Sequence, residues 1–335
     1  MHRHAIINIW VVVLINLAVF IPSQAAMAKT GSLSESTASV DTQTSNGWPL
    51  EIEFIATGGY RVDDLDWNIA GDINGNNPNI LSELTWDDIE IYQLKLEGRL
   101  IWPNIIAFRG ALTYGWIFDG ENQDSDYLGD NRTLEFSQSN NSTDDDDVWD
   151  VSLAVGYPAR IGRTVIGTIT PLAGYSHHEQ QLNLTDGYQS IPDLGPFPGL
   201  DSSYDTEWKG PWLGIDLHFK AAEIKSFAHR FETYLTYEYH WADFDAEGNW
   251  NLRDDLDHPK SFKQDTDGDG YVIRAGFNFT LTQHWALNFN YDYQDWTMDD
   301  GTSKVFFADG TNVKTRLNEV NWTSHAWMAG LSFRF

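Results

Sequence analysis

His325-Ala-Trp-Met-Ala-Gly-Leu-Ser-Phe-Arg-Phe335 is the stretch whose reading decides the fold. Trp327, Leu331, Phe333 and Phe335 fall on alternate positions, with small or polar residues between them. Successive side chains of a strand point to opposite faces, so this is a strand with one oily side that ends on an aromatic residue. A soluble sheet rarely leaves such a strand bare. A transmembrane barrel is expected to close on one, because lipid tolerates no unpaired strand edge.

The opposite end of the chain agrees. His2, Arg3 and His4 precede an apolar run from Ile6 to Ile21, and Ala26-Met27-Ala28 has the small-x-small form of a cleavage site, so residues 1–28 are expected to be an export signal. Residues 29–47 are Ser/Thr-rich and aperiodic, as in a flexible periplasmic lead-in, which leaves 48–335 for the barrel. No later segment offers the ~18 consecutive apolar residues of a spanning helix. The chain has no cysteine, which excludes disulfides and thiolate chemistry. With 49 acidic against 21 basic residues the formal charge is −28, which argues against nucleic acid as a partner. The 15 Trp, 14 Tyr and 18 Phe are what two lipid-facing aromatic girdles would use.

From residue 50 onward apolar residues recur at every second position, the strand period. Leu50, Ile52 and Phe54 share a face, as do Tyr92, Leu94, Leu96 and Leu100. Ile106, Phe108, Leu112, Tyr114 and Trp116 follow, then Trp149 to Tyr157, a less regular strand near 163–180, and Leu213 to Phe219. Phe231 to Trp241, Tyr271 to Leu281, Trp285 to Tyr293 and the closing strand bring the number to ten, an even count as single-chain bacterial barrels require. The fold class is therefore all-β, a ten-stranded antiparallel transmembrane β-barrel. Short connections (102–104, 158–163, 220–229, 282–284) alternate with stretches read as long loops, about 58–87, 118–147, 181–210, 243–268 and 297–321. Short turns belong on the periplasmic side and long loops outside, so both termini are expected in the periplasm. Lys95, Glu97, Arg99, Arg109, Glu232, Glu238, Arg274 and Asp292 should point inward and fill the lumen with mixed charge, which disfavours a narrow channel.

Leu81-Ser-Glu-Leu-Thr-Trp86, Pro171-Leu-Ala-Gly-Tyr175 and Pro211-Trp-Leu-Gly214, in this order, resemble the segments that open or carry the second, fifth and sixth strands of the omptins. Omptins are ten-stranded outer-membrane proteases and adhesins of the aspartyl type, and the resemblance covers most of 50–335. It implies a site at the extracellular mouth, where a D-x-D pair faces an Asp-x-His pair and the two activate a water. Asp124-Ser125-Asp126-Tyr127 matches the first half, with Tyr127 where the family has Trp. At the second half the matching positions are Gly248 and Trp250, neither of which moves a proton. The nearest histidine is His258, preceded by Asp257 and Leu256; Asp255 is the acid that loop folding could bring to it. By the same resemblance Glu179 and Glu207 stand where arginines hold lipopolysaccharide, a charge reversal that disfavours that lipid. Tyr60 stands where an acid selects a basic substrate side chain.

Asp265-Thr-Asp-Gly-Asp-Gly270 has the D-x-D-x-D-G spacing that opens a calcium loop, with Asp265, Asp267 and Asp269 as ligands. Position 12 of that loop is Gly276, so an acidic turn is the competing reading and no other cofactor is expected. Asp144 to Asp147 joins Asp119, Glu121, Asp124, Asp126 and Asp130 in a negative field at the mouth. His177-His178 are neighbours on a strand and point to opposite sides, so they are expected as polar rim residues. Two functional expectations follow. One is a non-proteolytic surface barrel whose acidic loops bind cationic peptides, host surface proteins or divalent ions. The other is an endopeptidase cutting beside basic residues with Asp124, Asp126 and a displaced His258. Outer-membrane lipid is a partner in both.

Overall fold

Period-two alternation builds fourteen strands among the described residues, which in the computed structural model are 50–161, 166–220 and 231–335. The export signal and lead-in expected over 1–47 lie outside them. In chain order the strands are β1 (Glu51–Ile69), β2 (Ser82–Trp102), β3 (Ile106–Gly129), β4 (Thr133–Ser142), β5 (Asp147–Gly156), β6 (Ala159–Ile161), β7 (Ile166–Ile191), β8 (Gly195–Pro196), β9 (Ser202–Lys220), β10 (Phe231–Asn249), β11 (Phe262–Thr280), β12 (Trp285–Met298), β13 (Gly301–Phe306) and β14 (Asn312–Arg334).

Neighbours pair antiparallel, and β14 returns to β1 from Glu53↔Arg334 to Ile69↔Leu317, so the sheet closes into a ring. β4 and β5 share one place in it, β5 pairing β3 and β7 nearer the chain terminus and β4 pairing them nearer the mouth. The ring therefore has the ten places that the alternation predicts.

The long loops are where the structure corrects the expectation. Most of 58–87, 118–147, 181–210, 243–268 and 297–321 is strand: β1 runs on to Ile69 and β2 starts at Ser82, β3 reaches Gly129, and β10 reaches Asn249. β7 has 26 residues, more than twice the ~9–11 that cross a membrane. The alternation never stops; its sign reverses. On β10 the outer face carries Tyr237, Tyr239 and Trp241, then Asp243, Asp245 and Glu247, while the inner face changes from Glu238 and His240 to Ala242, Phe244 and Ala246. Lipid contact dictates the first pattern, and water outside a packed interior dictates the second.

The lumen accordingly has two layers. At the level of the apolar band, Lys95 and Arg274 hold Asp292 at 2.9 and 3.0 Å, Arg99 holds Glu97 at 2.5 Å, and Arg109 binds Asp216 at 3.1 Å and also Glu238. Glu232 meets Arg334 at 2.7 Å. The inward charges expected from sequence are all there, joined by Arg61, which grips Asp63 and reaches Asp150 at 3.1 Å. Above them an aromatic plug fills the ring. Trp296 stacks on Trp322 at 5.6 Å and Trp208 lies 5.4 Å from Trp322. Trp67, Trp86, Tyr204, Phe244 and Phe262 continue the plug towards the mouth. Gly270 lies under the Trp296 ring, in space that any side chain there would take.

Candidate functional site at the barrel mouth

Asp124 and Asp126 sit on β3 opposite Leu84 and Ser82 of β2. Leu84 belongs to the plug, and cross-strand partners share a face, so both carboxylates look inward at the top of the ring. The connection between β10 and β11, residues 250–261, crosses the mouth to meet them. The Trp250 indole lies beside the Asp124 carboxylate and Ser82 beside Asp126, and the Arg253 guanidinium attracts both acids. Burial raises the pKa of Asp124, and repulsion from Asp126 raises it further; burial likewise raises Asp126. Trp250, Ser82 and Arg253 offset those effects only in part.

The other half of the mouth is aromatic. Gly248 pairs with Phe262, whose ring occupies the space a side chain at 248 would need. Trp250 packs edge-on against the same ring at 4.8 Å. Asp255 is held by Arg253 through two hydrogen bonds of 2.8 Å. His258 is exposed, its Nδ1 2.8 Å from Asn249 Oδ1 and its backbone N–H donating to Asp257. The fold thus gathers Asp124, Asp126, Trp250 and Arg253, and it gives Asp255 and His258 different partners.

The remaining candidates lie elsewhere. Glu179 accepts from Trp149 Nε1 at 2.6 Å and lies 2.7 Å from His177 Nε2, while Glu207 meets Lys209 at 2.8 Å, all on the outer wall. Tyr60 is also on the outer wall, against Tyr92 and Phe118. Asp265, Asp267 and Asp269 run in line along the outer face of β11, where strand geometry separates successive ones by ~7 Å. Among the described residues no group of three or more His, Asp or Glu is gathered as a metal would require. His177 and His178 do point to opposite sides, but His178 is buried in the lumen with Nδ1 2.8 Å from Asp150, not on the rim. In the acidic run, burial lifts Asp146 to about 6, and Asp147 accepts from the Tyr114 hydroxyl at 2.7 Å.

Two groups were missed by the sequence reading. Arg61 and Asp63 are inward neighbours at i and i+2, a spacing that marks them once 58–69 is read as strand. The other is Arg253: nothing in its local sequence pattern aims it at Asp124.

Comparison with known proteins places this geometry. The sequence profile of the Protochlamydia outer membrane protein family (Pom) matches residues 55–335. No curated protein matches the sequence. The outer membrane protease OmpT from Escherichia coli superposes with a TM-score of 0.68 at 14% identity, over 85% of this chain and 97% of that one. At that identity the likeness speaks for the fold alone. OprG from Pseudomonas aeruginosa (TM-score 0.30, 13% identity, 84% and 95% covered) and the translocator domain of the autotransporter NalP from Neisseria meningitidis (0.30, 12%, 84% and 88%) are more distant.

Proposed function

The chain belongs to the Protochlamydia outer membrane protein family, and we propose that it is an omptin-like surface barrel that cuts no peptide and whose acidic mouth holds cationic partners. The observation that carries this reading is the pairing of Trp250 with Asp124 above a Gly248 filled in by Phe262. Peptide hydrolysis by water needs a base within hydrogen-bond reach of that water. An indole has no basic nitrogen to offer, and the histidine of the connection is turned to Asn249.

What the mouth does offer is two desolvated carboxylates beside an indole face. A guanidinium or ammonium group satisfies the carboxylates by charge-assisted hydrogen bonds and lies favourably against the ring. Arg253 supplies part of that charge from within the chain and would give way to a ligand. The negative charge of the whole chain steers cations towards the mouth, with peptides and divalent ions competing for it. The orientation that goes with this reading has the mouth outside and the termini in the periplasm, since the short turns at 103–105 and 281–284 share the terminus end. Acids at 179 and 207, already engaged by Trp149, His177 and Lys209, disfavour contact with lipid phosphates.

The test is a quenched-fluorescent peptide containing an Arg-Arg pair, given to cells that display the native chain or Asp124→Ala/Asp126→Ala. Binding without cleavage, weakened in the double variant, is expected. Cleavage that disappears in the double variant would establish the endopeptidase instead and make His258 the next residue to change.

A further inference from the structure

We propose that the lumen takes up a monovalent closed-shell metal ion of the Cu(I) class between His178 and His240. Both rings line a cavity of about 60 Å3 whose floor is the charged layer and whose roof is the aromatic plug, Trp296 packing on both histidines. His178 and His240 are 6% and 1% exposed, and each leaves its Nε2 buried without a hydrogen-bond partner. An unpaired buried nitrogen is costly, and two of them beside one cavity point to something that the cavity receives.

The other nitrogen of each ring is already engaged. His178 Nδ1 lies 2.8 Å from Asp150, whose carboxylate also binds Arg61. An ionised carboxylate only accepts, so Nδ1 carries the proton and Nε2 keeps the lone pair. Carboxylates orient metal-binding histidines in this way. His240 Nδ1 lies 3.1 Å from the Ser176 hydroxyl, which is able to accept in the same sense. Its Nε2 is 3.3 Å from a Glu238 oxygen, out of line for a hydrogen bond, so a cation beside Nε2 meets a negative charge there as well.

Geometry selects the ion. The two ring centres are 6.4 Å apart. An ion held in line between two imidazoles by bonds of ~2 Å sets the ring centres roughly 6 Å apart, and a tetrahedral angle brings them closer. Zn(II) and its like take three or four protein ligands, and among the described residues no group of three His, Asp or Glu is so gathered. A closed-shell ion of single charge accepts two ligands in line, and imidazole suits copper. The charge agrees. Asp150 shares Arg61 with Asp63, Glu238 shares Arg109 with Asp216, and Lys95 and Arg274 both bind Asp292, so these pairs carry one negative charge in excess. None of these residues belongs to the mouth, so the inference stands apart from the partners proposed there.

The probe is Ag(I), a redox-inert ion of the same class, titrated as the nitrate in chloride-free buffer against the full chain folded in detergent micelles. The Trp296 ring lies 5.2 Å from that of His178 and 4.8 Å from that of His240, so tryptophan quenching reports the site while calorimetry counts the ions. The expected result is one tightly bound ion per chain, with affinity reduced about tenfold or more in His178→Gln and in His240→Gln. Zn(II) should bind more weakly than Ag(I). Asp124→Asn/Asp126→Asn should keep Ag(I) binding, which separates the lumen from the mouth. Should the histidine variants not fold, X-ray absorption of Ag(I) bound to the native chain decides, with a shell of two nitrogens expected. Unchanged affinity in both histidine variants, loss of binding in the Asp124/Asp126 variant, Zn(II) binding as tight as Ag(I), a sulfur shell, or no binding at submillimolar Ag(I) would overturn the proposal.

Discussion

The ring of Phe262 lies where a side chain at Gly248 would have to go. Rebuilding a proton-transfer pair at 248 and 250 therefore meets a steric barrier before any chemical one. Gly248→Asp/Trp250→His is expected to lose about 1–3 kcal/mol by overpacking and to remain inactive on the Arg-Arg peptide. Adding Phe262→Ala should recover part of that stability, measured by urea unfolding in micelles. Full stability of the first double variant would show that the aromatic ring yields freely.

Arg61 tests the lumen. It is almost wholly buried, donates to Asp63 at 2.7 and 2.5 Å, and lies 5.5 Å from the Trp322 ring. Arg61→Leu leaves two buried acids without their cation and should cost about 3–5 kcal/mol. Arg61→Leu/Asp63→Leu should cost less than the single change, because the uncompensated charge goes too. A double variant worse than the single would locate the importance of Arg61 in packing against Trp322.

Trp208, Trp296 and Trp322 test the plug. Changing all three to Ala opens the upper lumen above the charged layer, and single-channel conductance in a planar bilayer should rise well above that of the native chain. Equal conductance in the two would place the barrier to ions in the layer of Arg109, Lys95 and Asp292 below.

The acid pair at the mouth makes stability depend on pH. The carboxyls of Asp124 and Asp126 are raised in the folded chain, so the stability they contribute is complete below the unfolded carboxylate range near ~4. It is lost as pH rises through their folded values. Asp124→Asn/Asp126→Asn removes that dependence. The double variant should match the native chain near pH 4 and become progressively the more stable of the two towards pH 8, in melting followed by heat-modifiable migration. Asp66 and Asp146, each raised to about 6, act in the same direction in both chains and drop out of the comparison.

Where lipid sets the pattern, the fold was legible. Tyr92 to Leu100 and Phe231 to Trp241 carry their apolar residues on one face, and both form strands in the expected order around a ten-place ring. Above the lipid the same alternation continues with acids outside and aromatics inside. A reading tuned to oily outer faces takes Asp243 to Glu247 and Asp64 to Asn68 for loop. Asp124 and Asp126 were singled out by the omptin resemblance, inside a stretch read as loop, and the structure puts them on one face of β3. The arrival of Trp250 and Arg253 was not legible, since it depends on the path of a twelve-residue connection anchored by Phe262 and Asn249.

The length of β7 has a consequence of scale. Its 26 residues trace a path of ~85 Å at ~3.3 Å each, and a tilt of about 40° turns that into a rise of roughly 65 Å. The oily band accounts for only ~25 Å of it. With the mouth outward, as proposed, the upper wall would stand tens of ångströms above the oily band, so a partner meeting the hairpin tips would not have to enter the headgroup layer.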